Sequence, residues 1–188
     1  MGSIKSISGT RLIVSLTEAK THLRVTHTDD DTYITALIGT AAIMIENFTN
    51  RLWREATLVE LFKKTELSNQ LELNKNNVIS VTSVKTNDGT TSTTIDSEDY
   101  QTDYYSIPPF IEFDPVPDIS INLLYPIEVT YTAGLLDEID IPAPVKSAAL
   151  LIIGHLYENR QDVVVGRTAN EMPKSSEYLL IPYILQQL

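Results

Sequence analysis

The chain has 188 residues, of which 43% are hydrophobic and 21% are charged, and its formal net charge is −11. This composition is typical of a globular chain with its own core and excludes a wholly disordered or collagen-like protein. The absence of cysteine excludes disulfides, thiolate metal sites and a cysteine nucleophile, and no apolar run is long enough to cross a membrane.

The N-terminal zone has helical periodicity. Ser15 or Thr17 is expected to cap a short helix, because a side-chain hydroxyl can accept a hydrogen bond from an unpaired N–H of the first turn. The acidic run 29–31 then favours the start of a second, longer helix through the helix dipole. Its apolar residues recur every three or four positions: Tyr33, Leu37, Ala41, Met44, Ile45, Phe48 and Leu52.

From residue 57 to residue 133 the period changes to two, which predicts half-buried strands. Polar residues alternate with Leu71 and Leu73, with Ile111 and Phe113, and with Ile127, Val129 and Tyr131. The run Asn87–Gly89 predicts a tight hairpin turn. Prolines at 108, 109, 115 and 117 bracket the strand at 111–113, which we expect to be short or at a sheet edge.

The C-terminal zone returns to helical spacing. The run Ile141–Pro144 leads into a predicted helix over Val145–Asn159, since proline is well tolerated in a first helical turn. Residues 160–174 are polar and predict a mobile loop. Ser175 or Ser176 is then expected to cap a short apolar segment that reaches residue 188.

Together these zones predict an α+β fold class with two parts. The helical body is built from the N- and C-terminal segments, residues 10–55 and 140–188, and an antiparallel β-rich insertion lies between them at 56–134. An amphipathic helix needs another element to cover its apolar stripe, so the two ends of the chain are expected to pack together.

Motifs for catalysis or metal binding are missing. His22, His27 and His155 lack the spacing of a metal site, and the sequence has no nucleophile elbow, phosphate loop or dinucleotide fingerprint. Neighbouring carboxylates such as Glu98 and Asp99 give no reason for two different pKa values, as an acid/base pair would require. We therefore predict no catalytic residue, no cofactor and no metal.

Charge is distributed unevenly. No lysine or arginine occurs between Lys85 and Lys146, a stretch that is rich in aspartate and glutamate. Binding to nucleic acid draws most of its affinity from basic side chains that neutralise phosphates, so this stretch is expected to repel DNA.

Five motifs, taken in order, resemble the head-tail connector proteins of tailed bacteriophages, a family of head completion, adaptor and DNA-packaging proteins. They are Leu16–Val25 followed by 29–31, Pro126–Gly134, Ile141–Lys146, His155–Arg160 and Tyr178–Tyr183. The motifs span both ends of the chain. The region 57–118 departs from the smaller, almost wholly helical members of the family.

The resemblance implies a structural role in a phage or prophage and no enzymatic activity. It implies a homo-oligomeric ring, dodecameric in the virion, that lies below the portal protein and joins head to tail. The implied partners are the portal, a stopper or tail-completion protein, and passing double-stranded DNA held without sequence-specific contacts. The implied location is the virion neck, after assembly in the host cytoplasm, with no membrane contact.

Two groups of residues are the candidate sites of this role. We expect Asp88, Asp96, Glu98, Asp99 and Asp103 to face the channel, because an acidic wall lets a polyanion slide without adhering. We expect the apolar tail to dock to a neighbouring subunit or the portal through Tyr178, Leu179, Leu180, Tyr183 and Ile184.

Two other classes stay open at this stage. A β-rich ligand- or receptor-binding tail accessory could stack a ligand on Tyr100, Tyr104, Tyr105 and Phe110, although a strand-and-turn core also explains these aromatics. An enzyme such as a glycosidase would need a pocket with paired carboxylates.

Overall fold

The structure is a computed structural model that describes residues 2–9, 12–119, 123–136, 140–159, 163–164, 167–168 and 173–185. The chain divides into two compact units. One unit holds the described residues of 1–10 and 55–134, and we call it the β unit. The other holds those of 11–54 and 135–186, and we call it the helical unit.

The secondary structure follows the chain in this order. The strands are β1 Ser3–Ser8, β2 Ala56–Phe62, β3 Gln70–Glu72, β4 Val78–Asn87, β5 Ser92–Thr94, β6 Tyr100–Asp103, β7 Phe110–Phe113, β8 Ile127–Ala133, β9 Val163–Val164 and β10 Arg167–Thr168. The helices are α1 Leu16–Leu23, α2 Asp31–Thr49, α3 Ala143–Glu158 and α4 Lys174–Leu180, with short 3-10 turns at Lys64–Glu66 and Ile181–Tyr183.

The β unit contains two antiparallel sheets. The larger has the strand order β1-β2-β8-β4-β5, and the smaller has the order β3-β7-β6. In β2 and β8 every second residue is buried, as the period of two predicts. The predicted hairpin is present as β4 and β5, and Gly89 in its turn has a φ of +87°.

The predicted strand between the prolines is β7. It is short, as predicted, since Phe110–Phe113 has four residues. It lies in the centre of the smaller sheet, between β3 and β6, and not at an edge. The prolines fall outside its ends, so they interrupt none of its ladder hydrogen bonds.

A carboxylic acid lies on the buried face of the larger sheet. Glu60 in β2 is fully buried, and the Tyr131 hydroxyl donates a hydrogen bond of 2.8 Å to its Oε2. The backbone N–H of Asn74 donates to the same oxygen at 3.3 Å, and the Asn74 amide also donates to Oε1 and to the carbonyl of Gly2. Burial raises the pKa of Glu60 to about 7 in spite of these hydrogen bonds.

The helical unit has an aliphatic core. Helices α2 and α3 face each other across buried residues that include Ile34, Ile38, Ile45, Val145 and Ile152. The predicted cap of α1 is Ser15, whose hydroxyl accepts from the backbone N–H of Glu18 at 3.2 Å, while Glu18 accepts from the N–H of Ser15 at 2.7 Å. This capping box confirms one of the two predicted caps and fixes the start of α1.

The predicted fold class, a helical body with an antiparallel β insertion, is wrong. The described residues form a mixed α/β fold with two antiparallel sheets, the two-stranded β9–β10 hairpin and four helices. Strand β1 precedes every helix and pairs with β2, so the β part is not an insertion between two helical segments. The sequence concealed β1 because a register shift between Ile4 and Ser6 breaks its alternation of apolar and polar residues.

The end of the chain departs from the prediction in detail. Most of the predicted mobile loop at 160–174 lies outside the described residues, which there include only the β9–β10 hairpin, Pro173 and Lys174. Helix α4 begins at Lys174, one residue before the predicted cap. Ser176 instead lies within the first turn, where its hydroxyl donates to the carbonyl of Pro173 at 2.6 Å.

Candidate assembly surface

The first of the candidate channel-facing acids, Asp88, lies in the turn between β4 and β5. Its Oδ1 accepts hydrogen bonds from the backbone N–H groups of Thr90 at 2.8 Å and Thr91 at 2.5 Å. These bonds favour the ionised form and lower the pKa of Asp88. Asp88 therefore carries a full negative charge at an exposed turn.

The next three acids lie in the loop between β5 and β6. The side chains of Asp96, Glu98 and Asp99 are exposed. Glu98 and Asp99 line an open cleft of about 450 Å³, together with Glu112 and Asp114 from the strand β7 and its end. The fold thus concentrates negative charge from two separate parts of the sequence at one end of the smaller sheet.

The fifth acid, Asp103, lies at the opposite end of β6. Register pairs Tyr100 with Phe113 and Asp103 with Phe110, so the length of a four-residue strand separates Asp99 from Asp103. A hydrogen bond from the Ser106 hydroxyl, together with those from the backbone N–H groups of Tyr105 and Ser106, lowers the pKa of Asp103. The structure brings Glu98 and Asp99 together at one cleft and places Asp88 and Asp103 elsewhere in the β unit.

Metal binding finds no support at these acids. In the described ranges no group of three histidine, aspartate or glutamate side chains has an arrangement that could hold a metal ion. The acids instead form exposed carboxylate surface on turns and strand ends.

The loop between β6 and β7, residues 104–109, presents large apolar side chains. Tyr105 is 97% exposed and Ile107 is 69% exposed. Ile107 was not among the residues predicted for a contact. An apolar residue before two prolines, in a polar stretch, is the signal that could have found it, because prolines confine such a residue to a turn.

The four aromatics that could have stacked a ligand do not share one exposed surface. Tyr100 packs edge to face on Phe113, with ring centroids 6.3 Å apart. The Tyr104 hydroxyl accepts from the backbone N–H of Val81 at 3.1 Å, and Phe110 is half-buried. Tyr105 alone of the four is exposed.

The tail residues divide into a buried and an exposed set. Leu180 is fully buried, and Leu179 and Tyr183 pack against the helical core. Tyr183 meets Trp53 edge to face at 5.6 Å between ring centroids. These contacts hold the tail on its own unit.

The exposed set consists of Tyr178 and Ile184, which are 72% and 38% exposed, and Ile181, which is 52% exposed and was not among the predicted residues. Helical spacing places Tyr178 three positions before Ile181. The tail therefore keeps an apolar outer surface while its inner surface completes the core.

An apolar groove runs along α1. It has a volume of about 560 Å³ and is lined by Leu16, Thr17, Lys20, Thr21, Arg24, Val25, Thr26 and Asp31. The Lys20 ammonium donates to the carbonyl of His27 at 2.7 Å and to the carboxylate of Asp31 at 2.5 Å. These bonds tie α1 to the start of α2 and shape the groove.

Residues 12–184 match the sequence profile of the head completion protein family. The chain belongs to the head completion protein family. This membership confirms the resemblance drawn from the ordered motifs, and the match includes the strand-rich region in which the chain departs from the smaller, helical members. No curated protein sequence matches the chain.

Solved structures share the fold over nearly the whole chain. A chain from the neck of an empty gene transfer agent particle computed with C6 symmetry aligns with a TM-score of 0.77 and 18% identity, over 97% of both chains. A chain from the virion of a native gene transfer agent particle gives 0.76 and 18%, and one from the native neck computed with C12 symmetry gives 0.74 and 18%. Each of these alignments covers 100% of this chain and 97% of the other.

None of the described helices is long and apolar enough to cross a membrane.

Proposed function

We propose that this chain is a head-tail connector subunit that forms a ring below the portal, carries the DNA channel and joins head to tail. The observation that carries the proposal is the match of residues 12–184 to the head completion protein family. We propose that the chain has a structural role in a phage or prophage particle, as its family name indicates, and that it has no catalytic activity.

The fold supports a place in the virion neck. Two of the solved chains that share it come from particle necks computed with C6 and C12 symmetry. A closed ring needs heterologous contacts, in which one surface of each copy meets a different surface of the next. The proposed state is a dodecamer in the virion, with the portal on one side and a stopper or tail-completion protein on the other.

The acidic surface supports a channel that does not hold DNA. Asp88, Asp96, Glu98 and Asp99 are exposed and Asp103 is half-exposed, all in a stretch that has no lysine or arginine. Phosphates are repelled by such a surface within about 10 Å at 0.1 M salt. We propose that part of this surface faces the passing double-stranded DNA.

The apolar tail supports docking to a neighbouring subunit or the portal. Of the residues predicted for this contact, Tyr178 and Ile184 have the exposed area to make it, and Ile181 adds to them. The outer surface of the tail is thus the proposed contact, while Leu180 holds the segment in place.

The test is complementation of particles that lack this gene product. We expect such particles to contain unjoined heads and tails and to lose their DNA, and the wild-type chain to restore both defects. Joined, DNA-filled particles in the absence of the chain would contradict the proposal.

Two sets of variants separate the proposed surfaces. Reversal of charge at Glu98 and Asp99 to lysine should leave joined particles but slow DNA ejection, since cations would hold phosphates. Replacement of Ile181 and Ile184 by serine should instead lower joining. Glu158→Lys, a charge reversal at an exposed position of the helical unit outside both proposed surfaces, is the matched control and should behave as wild type.

A further inference from the structure

The 104–109 loop has the features of a protein–protein contact site. Tyr105 and Ile107 expose 97% and 69% of their surface, although exposed aromatic and branched aliphatic side chains gain free energy when they are buried. Tyrosine is among the residue types enriched at the energetic centres of protein interfaces. The loop therefore presents two large apolar side chains that its own chain leaves uncovered.

Hydrogen bonds fix the backbone of this loop. The Asp103 carboxylate accepts from the N–H of Tyr105 at 2.8 Å, from the N–H of Ser106 at 3.1 Å and from the hydroxyl of Ser106 at 2.8 Å. The Tyr104 hydroxyl anchors the loop to β4 through the N–H of Val81. A loop that is already ordered loses little conformational entropy on binding, which favours affinity.

The groove on α1 is a complementary surface within the same chain. Leu16 and Val25 give it an apolar lining. Asp31 pairs with Lys20 inside the groove, so Arg24 supplies its net positive charge. The Ser15 capping box at one end and the bonds of Lys20 at the other hold the helix in position. Hydrogen bonds therefore hold the groove in place, as they hold the backbone of the loop.

The charges near the loop and in the α1 groove are also opposite in sign. Register places Glu72 and Asp103 on either side of Phe110, at the end of the sheet that bears the loop. The nearest basic residues along the sequence are Lys85 and Lys146, so the stretch that holds the loop contributes only negative charge. The acids beside the loop attract Arg24 in the groove, while two copies of the acidic surface repel each other.

We propose that Tyr105 and Ile107 of one copy insert into the α1 groove of the next copy, with Arg24 near the acids that flank the loop. A loop on one copy and a groove on the next form a heterologous contact, which repeats around a closed ring. This inference rests on the proposed connector ring and names the contact that builds it.

The first test is a disulfide cross-link, for which the absence of native cysteine is well suited. Ile107→Cys combined with Thr26→Cys, both exposed positions, should give a ladder of covalent multimers when assembled necks are oxidised. Each single variant should give none. Ile107→Cys combined with Thr40→Cys, an exposed position on α2 outside the groove, is the matched control and should also give none.

The second test removes the apolar contact. Tyr105→Ser and Ile107→Ser should each weaken association between copies about 10-fold or more, as loss of an interface centre does. Leu124→Ser, a 67% exposed residue in the same unit, is the control and should leave association unchanged. Circular dichroism should show equal folding for all three variants, because the changed side chains are exposed.

The outcomes separate this inference from the proposed function. If wild-type particles form no neck ring with this chain, the proposed function fails. If rings form and the 26–107 pair gives no ladder, or if the serine variants associate like wild type, the inference alone is overturned. A cross-link from residue 107 to the portal or a tail protein would also overturn it.

Discussion

The two units of this protein shift the pKa of a carboxyl group in opposite directions. In the helical unit, Glu18 lies at a partly exposed helix start, and a hydrogen bond from the backbone N–H of Ser15 lowers its pKa. In the β unit, burial of Glu60 raises its pKa to about 7. Environment, and not residue type, therefore decides whether an acid stabilises its unit in the charged or in the neutral form.

The largest expected effect concerns the aliphatic core of the helical unit. Ile152→Ala in α3 removes a fully buried side chain and should lower the free energy of unfolding by about 2–5 kcal/mol. The fluorescence of Trp53, the only tryptophan, reports unfolding of this unit. Leu151→Ala at the neighbouring, partly exposed position is the control, and an equal loss there would contradict the assigned packing of α3.

The second prediction concerns pH and the β unit. Because folding raises the pKa of Glu60 from 4.5 to about 7, the folded chain binds this proton more tightly than the unfolded chain. Stability from this group is present below pH 4.5, declines as pH rises from 4.5 to 7 and is lost above 7, a change of about 3 kcal/mol. Hydrogen exchange of the β2 and β8 amides as a function of pH measures it.

Glu60→Gln should remove this dependence, since an amide does not titrate in that range. Glu112→Gln, an exposed position on β7, is the control and should keep it. Equal pH slopes for wild type and Glu60→Gln would contradict the role of the buried acid. If hydrogen exchange of the strands and Trp53 fluorescence gave the same dependence of stability on pH, the two units would not differ in their response to pH.

The smallest expected effect concerns the capping box. Ser15→Ala should cost about 1 kcal/mol through the lost cap of α1, as measured by thermal unfolding. Because the pKa of Glu18 is lowered on folding, its contribution is present above its ordinary pKa of 4.5 and lost as pH falls through the lowered value, opposite in sign to that of Glu60. Thr17→Ala is the control, and a cost there equal to that of Ser15→Ala would contradict Ser15 as the cap.

Local patterns were sufficient to predict the helices and several strands of both sheets. A period of three to four residues and the cap at Ser15 identified α1 and α2, and Asn87–Gly89 identified the β4–β5 turn. The buried position of Glu60 could not be predicted in this way. Strand β2 has apolar residues on both faces, so its sequence does not show which face is buried. Its pairing with β8 determines the buried face.

The candidate surfaces were predictable in part. Composition revealed the acidic stretch, but the grouping of Glu98 and Asp99 with residues of β7 depends on the register in which β6 pairs with β7. The tail was recognised as apolar, yet sequence alone does not say that Leu180 turns inward while Ile181 turns outward. Such divisions within one apolar segment arise from tertiary packing.

The close approach of Gly2 to the buried acid sets a limit on how the first strand can begin. A β-carbon added at this residue would lie 2.6 Å from Oε1 of Glu60 and 2.6 Å from a ring carbon of Phe62. A larger residue would have to displace the Glu60 carboxyl group, the Phe62 ring or the start of the strand. The absence of a side chain at residue 2 thus makes room for the acid whose titration sets the pH response of the β unit.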